Sequence, residues 1–153
     1  MKKRSPLKKQ SAKEVKIKAE YARVCKEIDE EIMDTFGYMA CSSCHIDVQQ
    51  VSGGHSHNLP KGRFKYLETD PKNIDLRCQD IGEHKGCHEK LDRMDIHEIV
   101  KFKDFDDIMA YRFENAPEEY NKLVTAIIEA GINTKYNYHE ETEYEEDQNE
   151  DLY

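Results

Sequence analysis

The sequence predicts an α+β protein: a small strand-bearing segment dense in cysteine and histidine, with a helix before it and helices after it. Three observations carry this. Four of the five cysteines and five of the seven histidines fall within residues 38–90. A helix-start signal followed by apolar residues at helical spacing precedes that segment. Two more helical patterns follow it. With 153 residues, 36 % charged and only 37 % hydrophobic, and no Trp, the chain supports one modest core.

Residues 1–10 read as a flexible basic arm, MKKRSPLKKQ. Ser11 and Glu14 then fit a capping box, in which Ser11 accepts from the first turn and Glu14 reaches back. A helix is expected over 11–36, its regular pattern running to about Asp34. Val15, Ile17, Tyr21, Val24, Ile28 and Ile32 form its apolar positions, and Gly37 ends it. Cys25 lies inside this helix, remote from the other cysteines, and reads as a small buried residue.

Residues 37–96 form the central module. Strand-like stretches are expected at Ile46–Val51 and around His55–Leu59, with Gly53-Gly54 as the hairpin turn between them. Lys61–Lys72 reads as loop, with Asp70-Pro71 favouring a turn. Asn73–Leu76 is either a short strand or a turn, and a helix is expected from Cys87 through Leu91. Residues 97–133 form a C-terminal helical segment. One helix covers about Phe105–Asn115. The other begins at Pro117 and ends at Gly131, with Leu123, Ile127 and Ile128 as its apolar face. Residues 134–153 form an acidic tail expected to be disordered.

The cysteines point to a metal. Cys41-Ser-Ser-Cys44 has the two-residue gap that lets both thiolates reach one ion from a single turn, and Cys78 with Cys87 completes a soft four-ligand set suited to structural Zn²⁺. The eight residues Gln79–Gly86 between the second pair exceed the usual gap and imply a looped insertion. His45 and His84 are rival ligands. Such an ion adds folding energy that a small core lacks.

Three further features stand in order: His57-Asn-Leu-Pro60, then Asn73-Ile-Asp-Leu-Arg-Cys78, then Gly86-Cys-His88. Interleaved with the four cysteines, they resemble the HNH endonuclease family over about Cys41–Leu91, a third of the chain. The basic lead-in and the Gly-His strand are similar to small phage-encoded members, including lambdoid recombination endonucleases. The resemblance implies a ββα-metal finger carrying the structural zinc, and hydrolysis of phosphodiester bonds, with DNA preferred over RNA. It implies His57, Asn73 and His88 as the catalytic set.

The chemistry suits those residue types. A neutral imidazole takes a proton from water near pH 7, which makes His57 the candidate general base. A catalytic Mg²⁺ or Mn²⁺ would stabilise the departing oxygen, held by His88 at the helix start. Asn73 would orient His57 through a backbone contact or pin the loop between strand and helix. Many members place Asp or His just before the base, where this chain has Ser56. His55, two residues before His57 and on the same strand face, either replaces that ligand or exchanges roles with His57. Asp75 and Asp80 are further oxygen donors. His97 and His139 have no supporting context.

The formal charge of −9 conceals two opposed ends. Met1–Lys26 holds ten Lys/Arg against two Asp/Glu, and Tyr138–Tyr153 holds eight Asp/Glu with no Lys/Arg. The basic arm either contacts phosphates or is a solvated tail. The acidic tail masks that arm, keeps the chain soluble, or serves as a protein-partner segment. Lys61, Arg63, Lys65 and Arg77 are candidate nucleic-acid contacts, while Phe64 and Tyr66 read as core. No apolar run reaches membrane-spanning length and the start lacks a signal-peptide pattern, so a cytoplasmic location is expected, that of a bacterial host if the phage likeness holds. The alternative function is a non-catalytic, zinc-stapled nucleic-acid-binding or phage interaction protein.

Overall fold

The computed structural model describes residues 10–137. The basic arm up to residue 9 and the tail from residue 138 lie outside the described residues, so the expectations placed on them stand outside too. Element order is α1 (Ala12–Phe36), β1 (Gly53–His57), β2 (Ile74–Cys78), α2 (Cys87–Asp92), α3 (Ile96–Ile99), α4 (Phe105–Asn115) and α5 (Pro117–Glu129). The fold is mixed α/β, with one two-stranded antiparallel sheet.

Local chemistry sets the ends of α1. Ser11 and Glu14 make the reciprocal capping box, and Gly37 takes the left-handed conformation at φ 75° that closes the helix C-terminus. Much of α1 stands in solvent. Only Val24 and Cys25 are buried, packed on Ile74 of β2 with Tyr21 and Ile28 alongside. Val15, predicted on the apolar face, is exposed. Cys25 is the small packed residue its context suggested.

The sheet departs from the expected hairpin. Ile46–Val51 is not a strand, contributing only an isolated bridge between Ala40 and Asp47. Gly53 and Gly54 are not a turn. They begin β1, pairing with Cys78 and Arg77 of β2. An added Cβ at Gly53 would fall 2.6 Å from Val48 Cβ, whereas at Gly54 it would meet only the end of the flexible Gln79 side chain, at 2.7 Å. Gly53 therefore serves close approach rather than chain reversal. The register continues His55 to Leu76, Ser56 to Asp75 and His57 to Ile74. Between the strands, two short 3₁₀ turns at Lys65–Leu67 and Pro71–Asn73 shape the long loop.

The C-terminal helices share the core of the central module. Cys41, Cys78 and Cys87 sit in one apolar cluster with Leu91, Ile99, Phe102, Ile108, Leu123 and Ile127. Each of these large aliphatic side chains contributes about 1.5–3 kcal/mol on burial. The expected boundary between residues 96 and 97 cuts through α3, a short helix the sequence pattern did not announce. On α5, Val124 is buried while Ile128 is exposed, so the apolar face is rotated from the predicted one. Order also extends past residue 134. Lys135 and Tyr136, within the segment expected to be disordered, bond to Asp106 of α4 at 2.6 and 2.7 Å.

Candidate metal centre and histidine cleft

Cys41, Cys44, Cys78 and Cys87 converge. Their Sγ atoms all lie within 4.8 Å of one another, and they are the one such group of three or more metal-ligating side chains among the described residues. Four soft donors at that separation can hold one metal ion. The first pair is brought round by a tight turn. His45 closes it in the left-handed region at φ 61°, and its N–H bonds to Cys41 O at 2.8 Å. His45 thus supplies backbone, with its ring against Phe36, and neither it nor His84 joins the cluster.

The second pair spans a loop that folds back on itself. Asp80 ties it down, accepting from Gly86 N at 2.7 Å and from Arg93 at 2.9 Å. An added Cβ at Gly86 would fall 2.4 Å from the backbone of Gln79, so only glycine lets the loop close. The Cys87 N–H then points at Cys78 Sγ, 3.3 Å away. Within the cluster the Cys41 thiol is pulled down to about 4, chiefly by a hydrogen bond from Cys87, whose own thiol is driven up. Cys78 is raised to about 12, chiefly by burial. Like charges so close disfavour four thiolates together, and a bound cation would offset that repulsion.

The expected histidines line one cleft beside this centre. A cavity of about 340 Å³ is bounded by Tyr21, His55, His57, Lys61, His88 and Asp92. His57 and His88, distant in sequence, therefore face a shared space. Nε2 of His57 donates to the Glu68 carbonyl at 3.0 Å. A neutral ring bonded to a carbonyl must carry its proton on that nitrogen, which leaves Nδ1 as the basic atom. Tyr21 of α1 stacks on the ring at 5.7 Å between centroids. Burial pushes the His57 pKa below its ordinary value of 6.5, and the positive fields of Lys61 and His88 act in the same direction. His88 is the second residue of α2, with Nδ1 3.4 Å from Gln79 and Nε2 3.5 Å from Asp92.

Several expected roles change. Asn73 is fully buried and cannot touch a substrate. Its side chain donates to Leu59 O and Leu67 O, both at 3.1 Å, and accepts from Leu59 N at 2.7 Å. It pins the loop that presents Glu68 to His57, so it is a positioning residue rather than a catalytic one. His55 shares the strand face of His57 as expected, but its Nε2 is engaged by Asp29 of α1 at 2.9 Å. Asp92, one helical turn after His88, takes the place beside His88 instead. Asp75 and Asp80 are held in other networks, and neither borders the cleft.

Arg77 is the clearest correction. It is fully buried and has no access to nucleic acid. Its guanidinium donates to Ser43 beside the first cysteine pair (2.9 Å), Ser56 of β1 (2.7 Å), Asn58 (2.9 Å), Asp75 (3.0 Å) and Asp104 (2.6 Å). The hydroxyl of Ser56, the departure from the family pattern, is thereby spent on Arg77. Lys61, Arg63 and Lys65 are exposed as expected, although Arg63 pairs with Glu119 at 2.9 Å. Phe64 packs in a small cluster with Leu59 and Leu67, whereas Tyr66 is 73 % exposed and not core.

Arg77→Met is expected to destabilise the protein by about 2–4 kcal/mol, because the half-buried carboxylates of Asp75 and Asp104 lose their shared cation. Burial already raises the Asp75 pKa. A denaturant midpoint within error of wild type would show that the network does not hold the sheet to the metal centre.

Sequence reading missed Asn58, Asp92 and Arg112. Asn58 follows His57 directly and anchors it, bonded to Asp75 (2.9 Å) and Arg77 and accepting from Arg112 at its carbonyl (2.8 Å). Only the i, i+4 spacing of His88 and Asp92 on a helix was visible beforehand as a signal.

No family model matches the chain, and neither a curated protein nor a solved structure matches it. Among the described residues, no helix is long and apolar enough to cross a membrane.

Proposed function

We propose that this chain is a metal-dependent endonuclease of the HNH type, hydrolysing phosphodiester bonds in DNA, with zinc at the four-cysteine cluster. The observation that carries the reading is the single cleft shared by His57 and His88 beside that cluster. The strand–strand–helix order β1, β2, α2, with His57 at the end of β1 and His88 opening α2, is in keeping with a ββα-metal finger.

The divalent site has to fit the donors present. His88 and Asp92 offer one imidazole nitrogen and one carboxylate oxygen 3.5 Å apart. The Asp92 oxygen suits Mg²⁺ or Mn²⁺, each of which would fill its remaining positions with waters and phosphate oxygens, and the His88 nitrogen favours the less hard Mn²⁺ of the two. Such an ion, when bound, relieves charge on the phosphate and on the leaving oxygen.

The chain's own groups supply the rest. The Glu68 carbonyl fixes the tautomer and direction of His57, so Nδ1 can take a proton from a water molecule as that water's oxygen bonds to phosphorus. The P–O bond to the leaving sugar oxygen breaks, and that oxygen gains a proton from solvent. Lys61, at the rim, attracts the phosphate. Tyr21 covers His57 and limits its contact with bulk water.

Plasmid nicking by the full chain in Mg²⁺ or Mn²⁺ tests the reading. Cleavage is expected to fail in the presence of a chelator and to weaken steeply as salt rises. Salt-dependent DNA binding without any cleavage would favour the non-catalytic binding module instead.

The pH profile is a second expected result. The base must be unprotonated, and its pKa is depressed, so the acid limb of kcat/KM should be centred below 6.5. A cation beside His88 moves it further the same way. An acid limb centred above that value would exclude His57 in the cleft as the base.

A further inference from the structure

A second cavity adjoins the histidine cleft and contains a buried cation without a counter-ion. It measures about 520 Å³ and shares His57, Pro60 and Asp92 with the cleft. Arg112 of α4 lines it and is 4 % exposed. Nη2 of Arg112 donates to the Asn58 carbonyl at 2.8 Å, while Nε has no hydrogen-bond partner. Among the described residues, no carboxylate lies within ion-pairing distance of this guanidinium. Of the two carboxylates lining the cavity, Glu119 is engaged by Arg63 at 2.9 Å and Lys122 at 2.8 Å, and Asp92 lies 3.5 Å from His88.

A guanidinium withdrawn from water without an ion-pair partner is costly, and its planar donors are suited to an oxyanion. Burial lowers the Arg112 pKa, against the opposing charge of Glu119 and with that of Arg77. Leu91, Met94 and Ile96 give the cavity apolar walls, beside which a charge contact is stronger than in open water. Lys122, which pairs with Glu119, lines the same cavity and can turn its exposed ammonium to an incoming phosphate.

We infer that Arg112, with Lys122, forms a phosphate-binding subsite that takes the nucleic-acid phosphate next to the scissile one. This rests on the nuclease reading for its substrate, because the cavity meets the cleft at His57 and Asp92. A strand seated with one phosphate on Arg112 would carry a neighbouring phosphate toward His57, which lines both cavities. Arg112 is thus a positioning and binding residue and takes no part in the proton transfer.

The test uses the full chain with its metal and inorganic phosphate as probe, read by thermal shift and by titration calorimetry. Wild type is expected to be stabilised by phosphate and not by acetate. Arg112→Met should weaken phosphate binding by about tenfold or more. Its thermal midpoint without phosphate should stay near wild type or above, since an unpaired buried charge has been removed. Lys122 is 63 % exposed, so Lys122→Gln should fold normally and weaken phosphate binding by about threefold, the scale of one exposed charge contact.

For a short DNA duplex, Arg112→Met should also reduce the salt slope of binding by about one. An unchanged phosphate response in Arg112→Met, or no response in wild type, overturns the subsite. If Arg112→Met does not fold, Lys122→Gln decides, and an unchanged response there overturns it as well. Arg112-dependent phosphate binding in a protein that cuts no DNA upholds the subsite while removing the nuclease reading. Cleavage with Arg112-independent phosphate binding does the reverse.

Discussion

Replacing Cys41 by serine is expected to release the metal and unfold the chain around it. Cys41 is fully buried, and with Cys78 and Cys87 it belongs to the same apolar cluster as Leu91, Ile99 and Leu123. An ion held by the four cysteines would thus sit at the seam where the sheet meets the C-terminal helices. Structural zinc supplies roughly 10–16 kcal/mol of apparent binding free energy in small modules, against about 5–15 kcal/mol of net stability for a typical domain. A hydroxyl is a poor soft ligand, and the three remaining thiols repel as they ionise. Elemental analysis of freshly purified wild type should find about one zinc per chain. Cys41→Ser should hold little or none and should lose its cooperative thermal transition. Cys25→Ser, packed on α1 beside Val24, should keep both. Metal-free wild type of unaltered stability would remove the staple and the fold argument built on it.

His57→Ala is expected to lower cleavage by about 10²–10⁴-fold, the usual contribution of a positioned general base. Zinc content should not change, because His57 lies at the far end of β1 from Cys78, paired with Ile74. Stability should fall by only about 1 kcal/mol, from the lost bond to the Glu68 carbonyl and the stacking on Tyr21. His57→Gln separates the two roles, since its amide retains a donor while offering no base. Both variants should therefore be folded and equally inactive. Cleavage by His57→Ala at the wild-type rate would exclude this imidazole from the chemistry, even with the cleft intact.

The two variants probe different layers of one design. Gly86, Asp80 and the left-handed turn at His45 serve the cysteine centre. Asn58, Asn73 and Ser56 hold the strand end and loop that aim His57. Arg77 joins the layers, reaching Ser43 on one side and Ser56 and Asn58 on the other. A residue so charged and so central resembles a substrate contact when it is read along the chain. In space it is a buried clamp.

The features legible in the sequence alone are those set by near neighbours or by element chemistry. Capping at Ser11 and Glu14, the stop at Gly37, the start at Pro117 and the four-thiol ligand set all follow from spacings of a few residues or from the softness of sulfur. The shared face of His55 and His57 follows from strand alternation. Long-range pairing decided the rest. Setting Gly53–His57 against Ile74–Cys78 made a strand of an apparent turn, buried Arg77 and gave Ser56 a partner. The packing of α1 gave His55 to Asp29, and α4 brought Arg112 to Asn58 across 54 residues of chain. Such partners leave no local trace, because a two-stranded sheet and a buried ion pair are fixed by which surfaces meet and not by the residues beside them in sequence.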